Sequence, residues 1–134
     1  MNSMTQDFDN PLVAQAIKAA ETAYCKYSNF SVGAAVTTQD GEVFDGCNVE
    51  NASYGLTICA ERVAIFKAVS AGHTKLSAIA VHCPPSETND PDQRMPCGAC
   101  RQVMAEFMSP ESSVYVDGVG TFALRELLPN AFHF

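Results

Sequence analysis

Two short segments carry residue types that do chemistry: Cys59-Ala60-Glu61-Arg62 and Pro96-Cys97-Gly98-Ala99-Cys100. Each lies where a helix is expected to begin. Cys97 and Cys100 are i and i+3, so on a first helical turn both thiols converge from one face. A helix N-terminus favours negative charge and lowers thiol pKa, which suits thiolate ligands. Cys59 supplies a third sulfur from the other helix start. Three protein ligands with one open position is the pattern of catalytic zinc, whereas a structural site closes with four. Glu61 fits the same constellation. In mid-helix, Cys59 and Glu61 would point to different sides, but with Cys59 in a cap-like position they can share one site. The carboxylate then stands beside the metal without ligating it, as a general base for metal-bound water. Three thiolates on Zn²⁺ leave net negative charge, to be offset by two helix N-termini and by Arg62.

Two other chemistries use some of these residues. Cys97 and Cys100 have the spacing of a thioredoxin-like redox pair, but that account leaves Cys59 and Glu61 without a role. A closed structural zinc site needs a fourth ligand, for which Cys83 or His82 is available, and Glu61 is then only a solvated first-turn acid. Cys25, Cys47 and Cys83 read as small buried hydrophobes. His73 reads as a surface residue and His82 as a strand-end residue.

These residues have to be positioned by regular elements. Leu12, Val13, Ala16, Ile17, Ala20 and Tyr24 recur at helical spacing behind an Asn10 N-cap and Pro11. Val32, Ala34 and Val36 mark a strand, Gln39-Asp40-Gly41 a hairpin turn, and Val43 to Val49 the returning strand. An amphipathic helix follows from Cys59 to Ala71, stopped by Gly72. Leu76 to Cys83 is an apolar run that suits a strand buried on both faces. Pro84 to Met95 is polar, carries three prolines and reads as a surface loop. A third helix starts near Cys97 or Gly98 and ends at Phe107 or Met108. Val114–Val116 and Gly120–Ala123 form a terminal hairpin with Asp117-Gly118 as the turn, and Leu124 to Leu128 a last helical turn before Pro129. The order predicts a single three-layer α/β/α domain over residues 1–134, with a mixed central sheet of about five strands whose last two are an antiparallel hairpin. Right-handed crossovers place the starts of the second and third helices on one edge of that sheet. Residues 1–9 are expected to be flexible.

The 134 residues carry Asp+Glu 15 against Lys+Arg 8, a formal charge of −7, with 47% hydrophobic residues. That balance suits one soluble core and argues against a nucleic-acid partner, whose domains cluster Lys and Arg on one face. No apolar run approaches the length that spans a membrane. Met1 to Leu12 is polar and acidic, unlike a secretory signal, so the six cysteines are expected to be reduced thiols in the cytoplasm and not three disulfides.

An ordered series of motifs, from about Tyr24 to Phe132, resembles the cytidine deaminases of the small, homotetrameric type. It comprises Ser28-Asn29-Phe30, Val32-Gly33-Ala34-Ala35, Gly46-Cys47-Asn48-Val49-Glu50-Asn51-Ala52, Cys59 to Arg62, Pro96 to Val103, and Glu126-Leu127-Leu128-Pro129. The resemblance implies hydrolytic deamination of cytidine and 2′-deoxycytidine to uridine and 2′-deoxyuridine, in pyrimidine salvage, with one Zn²⁺ per subunit. Cys59, Cys97 and Cys100 would bind the zinc, Glu61 would shuttle protons, and Arg62 would hydrogen-bond the ligand thiolates. Asn48 and Glu50 match the pair that binds the ribose 3′-hydroxyl. Phe30 matches an aromatic packed on the pyrimidine, Ala60 a backbone contact to the base edge, and Ala52 and Tyr54 positions at the nucleoside end. Phe132 matches a C-terminal aromatic reaching a neighbouring subunit's site, so the expected assembly is a homotetramer whose sites are completed between subunits. Taken alone, Phe30 reads as core, Arg62 as a helix-surface charge and Asn48 as a turn residue. The ribose role also has a local reason: Asn48 and Glu50 flank Val49, so on extended chain both polar side chains face one side.

The chain departs from the family pattern at Ser31, Ser53, Gly55, Thr57 and Met95, and its 84–95 loop is longer than usual. None of these is a proposed ligand, so they bear on substrate breadth. Deamination of a modified or antibiotic cytosine nucleoside of the blasticidin kind, or a non-catalytic structural zinc module, are the alternative readings.

Overall fold

The computed structural model describes residues 10–85 and 88–134. The expected flexibility of residues 1–9 lies outside the described residues. Helix α1 (Pro11–Ala19) begins as its sequence dictates: the Asn10 side chain accepts from the backbone N–H of Leu12 at 2.9 Å and Val13 at 3.2 Å, with Pro11 in the first turn. It tightens into a 3₁₀ turn over Ala20–Thr22 and stops short of Tyr24. Strands β1 (Gly33–Thr38) and β2 (Val43–Cys47) form the expected hairpin, and the returning strand ends two residues before Val49. Helix α2 (Ala60–Ser70), strand β3 (Leu76–His82) and helix α3 (Gly98–Phe107) follow in order. Strand β4 (Met108–Val116), strand β5 (Gly120–Ala123) and the single-turn helix α4 (Leu124–Leu127) close the chain.

The five-stranded sheet has the order β2-β1-β3-β4-β5. β1 is antiparallel to both neighbours, β3 and β4 are parallel, and β4 and β5 are antiparallel. β2, β3 and β4 therefore run in one direction, and the residues at the carboxyl ends of β2 and β3, Asn48, Val81 and Cys83, line one cavity with Cys59 and Cys97 at the starts of α2 and α3. Helix starts on that edge are where open α/β sheets assemble sites. Strand alternation sorts the core into two layers. Ala35 and Ala80 join Leu12, Val13 and Ala16 of α1 on one face. Ala34, Val36, Ile79, Val114 and Val116 meet α2, α3 and α4 on the other.

Two glycines let both helical layers approach the β1–β2 hairpin. A Cβ on Gly33 would lie 2.0 Å from the Ala16 carbonyl oxygen of α1, and one on Gly46 would lie 2.6 Å from the Ala64 nitrogen of α2. Gly46→Ala must therefore push α2 off the sheet. It is expected to lower stability by about 1–3 kcal/mol, as overpacking does, and to reduce zinc occupancy, because Cys59 heads the displaced helix. Thermal melting with metal analysis of the variant checks this; unchanged values on both would refute the close-approach role.

Three local expectations need correction. Asp117-Gly118 is part of a three-residue connection, since Val116 pairs with Gly120, and Asp117 is buried where a simple turn residue would be solvated. The 84–95 stretch is not all surface: it makes a short 3₁₀ turn over Pro91–Arg94 and buries Arg94. Helix α2 is not cleanly amphipathic, because Phe66, 45% exposed, stands outside its buried face of Ala60, Glu61, Ala64, Ile65 and Ala68.

Candidate active site at two helix starts

Cys59 is the N-cap of α2 and Cys97 the N-cap of α3, both in extended backbone conformation. Neither side chain caps its helix. The Cys59 carbonyl takes the N–H groups of Arg62 and Val63, and the Cys97 carbonyl that of Arg101, so both thiols are left to face elsewhere. They face each other, with sulfurs 3.8 Å apart, and Cys100, one turn into α3, places its sulfur 3.4 Å from that of Cys97. Among the described residues this is the one group of three or more His, Cys, Asp or Glu side chains with ligand atoms all within 4.8 Å of one another.

Tetrahedral zinc with Zn–S bonds of about 2.3 Å requires sulfurs about 3.8 Å apart, so the donor set fits the ion in kind and in spacing. Neither His82 nor Cys83 joins the group, which leaves the fourth position of a tetrahedral ion without a described protein ligand. None of the six cysteines forms a disulfide. Cys59 is pushed down to about 5 by its contact with Cys100 and by hydrogen bonds from Arg62 and Cys97, against the opposing effect of burial. Its interaction with Cys59, together with burial, pushes the Cys100 thiol up. Arg62 donates from Nη2 to Cys59 Sγ at 3.4 Å, the positive charge that a cluster of thiolates needs.

Glu61 is 4% exposed on the first turn of α2. Burial pushes its carboxyl up to about 7, with the neighbouring Cys59 charge acting in the same direction. A group balanced between its two protonation states near neutrality can both take and give a proton. With Cys59, Ala60 and Cys97 it lines a cavity of about 220 Å³ that also includes Phe30, Val32, Asn48, Thr57, Ile58, Val81, Cys83, Gln93, Arg94 and Met95. Small-molecule sites typically run to about 300–1,000 Å³, so this one is at the scale of a single small ligand or ring.

The sequence model of the cytidine and deoxycytidylate deaminase zinc-binding region matches residues 6–116. The chain belongs to that deaminase family. It is 50% identical over 125 residues to the cytidine deaminase of Halalkalibacterium halodurans, covering 90% of this chain and 91% of that protein. The crystal structure of cytidine deaminase from Burkholderia pseudomallei superposes with a TM-score of 0.80 at 50% identity, covering 90% of this chain and 96% of that one. A blasticidin-S deaminase from Bacillus cereus is less similar, at 35% over 104 residues, covering 73% of this chain and 74% of that protein. Zinc is the cofactor of this deaminase domain, and the Cys59, Cys97 and Cys100 cluster is shaped for it.

Against this deaminase framework the other sequence-derived residues fall in different places. Phe30, Asn48 and Ala60 line the cavity with the cysteines and Glu61. Glu50, Ala52, Tyr54 and Phe132 are not among its lining residues. Asn48 and Glu50 do turn to the same side of their extended segment, and both hold the 27–32 stretch. Asn48 Nδ2 donates to the Phe30 carbonyl at 2.8 Å, and its Oδ1 accepts from Val32 N–H at 2.9 Å. Glu50 accepts from the N–H groups of Tyr27 and Ser28 and from the Ser28 hydroxyl. Tyr54 is 90% and Phe132 69% exposed. Two of the departures, Thr57 and Met95, do line the cavity, whereas Gly55 faces open space.

Sequence reasoning passed over three charged residues. Arg101 donates from Nε to the Pro96 carbonyl and from Nη1 to the Leu127 carbonyl, both at 2.8 Å, tying the approach to Cys97 onto α4. Arg94 is buried in the cavity wall, and Asp117 is buried against His82 Nδ1 at 2.7 Å. Each looks like a surface charge in one dimension. The proline-rich surroundings of Arg94 and the Asp-Gly pair at 117 point the wrong way.

Proposed function

We propose that the chain is a zinc-dependent hydrolase that deaminates cytidine and 2′-deoxycytidine to uridine and 2′-deoxyuridine, releasing ammonia. The observation that carries this is the buried Glu61 lining one small cavity beside a zinc-shaped three-cysteine cluster that brings no fourth ligand from the described residues. Bound zinc supplies the Lewis acidity that makes water nucleophilic near neutral pH. Cys59, Cys97 and Cys100 hold the metal, and Arg62 offsets their charge. Glu61 takes a proton from the attacking water and gives it to ring N3 as the C4–O bond forms. It then takes the second proton from the hydroxyl now on C4 and gives it to the amino group as the C4–N bond breaks and the C4 carbonyl forms, so one water is consumed for each ammonia released. Phe30 packs on the ring and Ala60 offers its backbone to the base edge. Asn48 and Glu50, with Ala52 and Tyr54 further out, serve the sugar side. The cavity's size and the chain's acidity favour a free nucleoside over a nucleic acid.

The assembly proposed is a homotetramer in a reducing cytoplasm, taking part in pyrimidine salvage. Large apolar side chains that a lone monomer would keep in solvent support assembly: Tyr54, Leu56, Phe66, Phe132 and Phe134 are all exposed. Phe132 reaches a neighbour's site in this reading, which gives the exposed tail a place to be buried. No helix among the described residues is long and apolar enough to cross a membrane.

Loss of ultraviolet absorbance on a panel of cytidine, 2′-deoxycytidine and blasticidin S, with metal stoichiometry and solution mass, tests all of this. Turnover of the first two with one zinc per chain and a four-chain mass is the expected result. Zinc-replete protein that turns over neither ordinary nucleoside overturns the function, and a monomeric mass overturns the shared site.

A further inference from the structure

The stretch that reads as a solvated loop supplies three consecutive cavity residues, Gln93, Arg94 and Met95, immediately before Pro96 and Cys97. It is folded on itself. The Thr88 hydroxyl bonds Gln93 Oε1 and accepts from Asp90 N–H, and Asp90 caps the 3₁₀ turn through Asp92 N–H. Arg94 attaches this knot to the rest of the molecule. Its Nη2 donates to the Thr88 carbonyl at 2.9 Å, and its Nη1 donates to the Asp117 carbonyl at 3.3 Å. Asp117 is itself fixed to the end of β3: its N–H donates to the Val81 carbonyl at 3.0 Å, and its carboxylate meets His82 Nδ1 at 2.7 Å. Val81 and Cys83, from that same strand end, line the cavity too. One guanidinium thus joins the 93–95 wall, by way of Asp117, to the strand end that carries Val81 and Cys83.

We infer that Arg94 is a positioning residue that sets specificity: it holds the 93–95 wall beside Cys97 and so fixes the room next to the reacting ring. A rigid planar fork can serve two carbonyls in different directions, which a point-charge ammonium cannot reproduce. Stability alone is a poor reason for the residue, because its Nε is buried without a hydrogen-bond partner among the described residues, and an unsatisfied buried donor is costly. The inference rests on the deaminase reading above. In that reading the atom attacked sits at the metal, so a substituent on the adjacent ring carbon must press on the lining closest to the ligands. 5-Methylcytidine is the natural probe.

The test compares the zinc-loaded parent with Arg94→Met and Arg94→Lys. Amide hydrogen exchange over residues 88–96 is expected to speed up by about tenfold in both variants. Zinc content is expected to stay at one per chain and kcat for cytidine within about threefold, while KM rises about fivefold. Discrimination between cytidine and 5-methylcytidine in kcat/KM is expected to change by about fivefold or more, within what one methyl group can command. Unchanged exchange, or unchanged discrimination, overturns the assignment. Loss of zinc or of a cooperative melt in both variants also overturns it, by making Arg94 a stability residue. A parent enzyme inactive on both nucleosides would overturn the deaminase reading instead, and hydrogen exchange, which needs no turnover, would still decide whether Arg94 holds the wall.

Discussion

Glu61→Gln is expected to lower kcat for cytidine by about 10³–10⁴-fold, the upper range for a positioned acid–base group that serves more than one proton transfer. The amide keeps the shape of the carboxylate but cannot take a proton from water and hand it to N3. Nothing else lining the cavity replaces it: the other titratable groups there are the thiols of Cys59, Cys83 and Cys97 and the guanidinium of Arg94. Zinc content should be unchanged, because Glu61 lies outside the cysteine group. Thermal stability should hold or rise slightly, because the substitution removes an ionisable group that burial disfavours in its charged form. KM should move little if the group acts mainly in the transition state. Steady-state kinetics, metal analysis and melting on one preparation check all four. A variant retaining activity within tenfold of the parent would remove Glu61 from the mechanism.

Stripping zinc, by a chelator or through Cys97→Ser, is the second large effect. Turnover is expected to fall to background. The melting temperature is expected to fall on the order of 10 °C, the scale reached when a tightly bound ligand contributing about 4 kcal/mol is lost from a domain of this size. The structural reason is local. Cys59 and Cys97 are N-caps that do not cap, so their helices give up the hydrogen bonds a Ser or Asn would have made there. With the metal gone, the close sulfurs repel one another once ionised, and Arg62 is the positive side chain bonded to them. Returning zinc to chelated parent should restore both activity and melting temperature, while the Ser variant should recover neither in full. Full activity in protein shown to be free of metal would overturn the site.

The chain's linear order determined a great deal. Apolar spacing, the Asn10 cap, the Gly72 stop and the strand alternation at Ala34–Ala35–Val36 report local preferences and which face is buried, and both act over a few residues. That is enough for the element order, the mixed sheet and two cysteine-bearing helix starts on one edge. The metal cluster was legible because catalytic zinc constrains ligand type and short-range spacing within the Cys97–Cys100 pair. Cys59 was legible because it shares a first turn with Glu61.

Only the tertiary structure decided the rest. The Cys59 sulfur stands 3.8 Å from that of Cys97, at the head of a helix that Gly46 lets close on the β1–β2 hairpin, a fact about backbone approach over distances in space. Arg94, Arg101 and Asp117 became interior groups because carbonyls from distant segments meet them: Asp117 for Arg94, Leu127 for Arg101, Val81 for Asp117. A charged residue belongs inside only when such partners exist, and no spacing rule supplies them. The sequence by itself therefore specified which atoms could do the chemistry. The fold decided how near they stand, how dry Glu61 is, and which wall of the cavity an apparent surface loop provides.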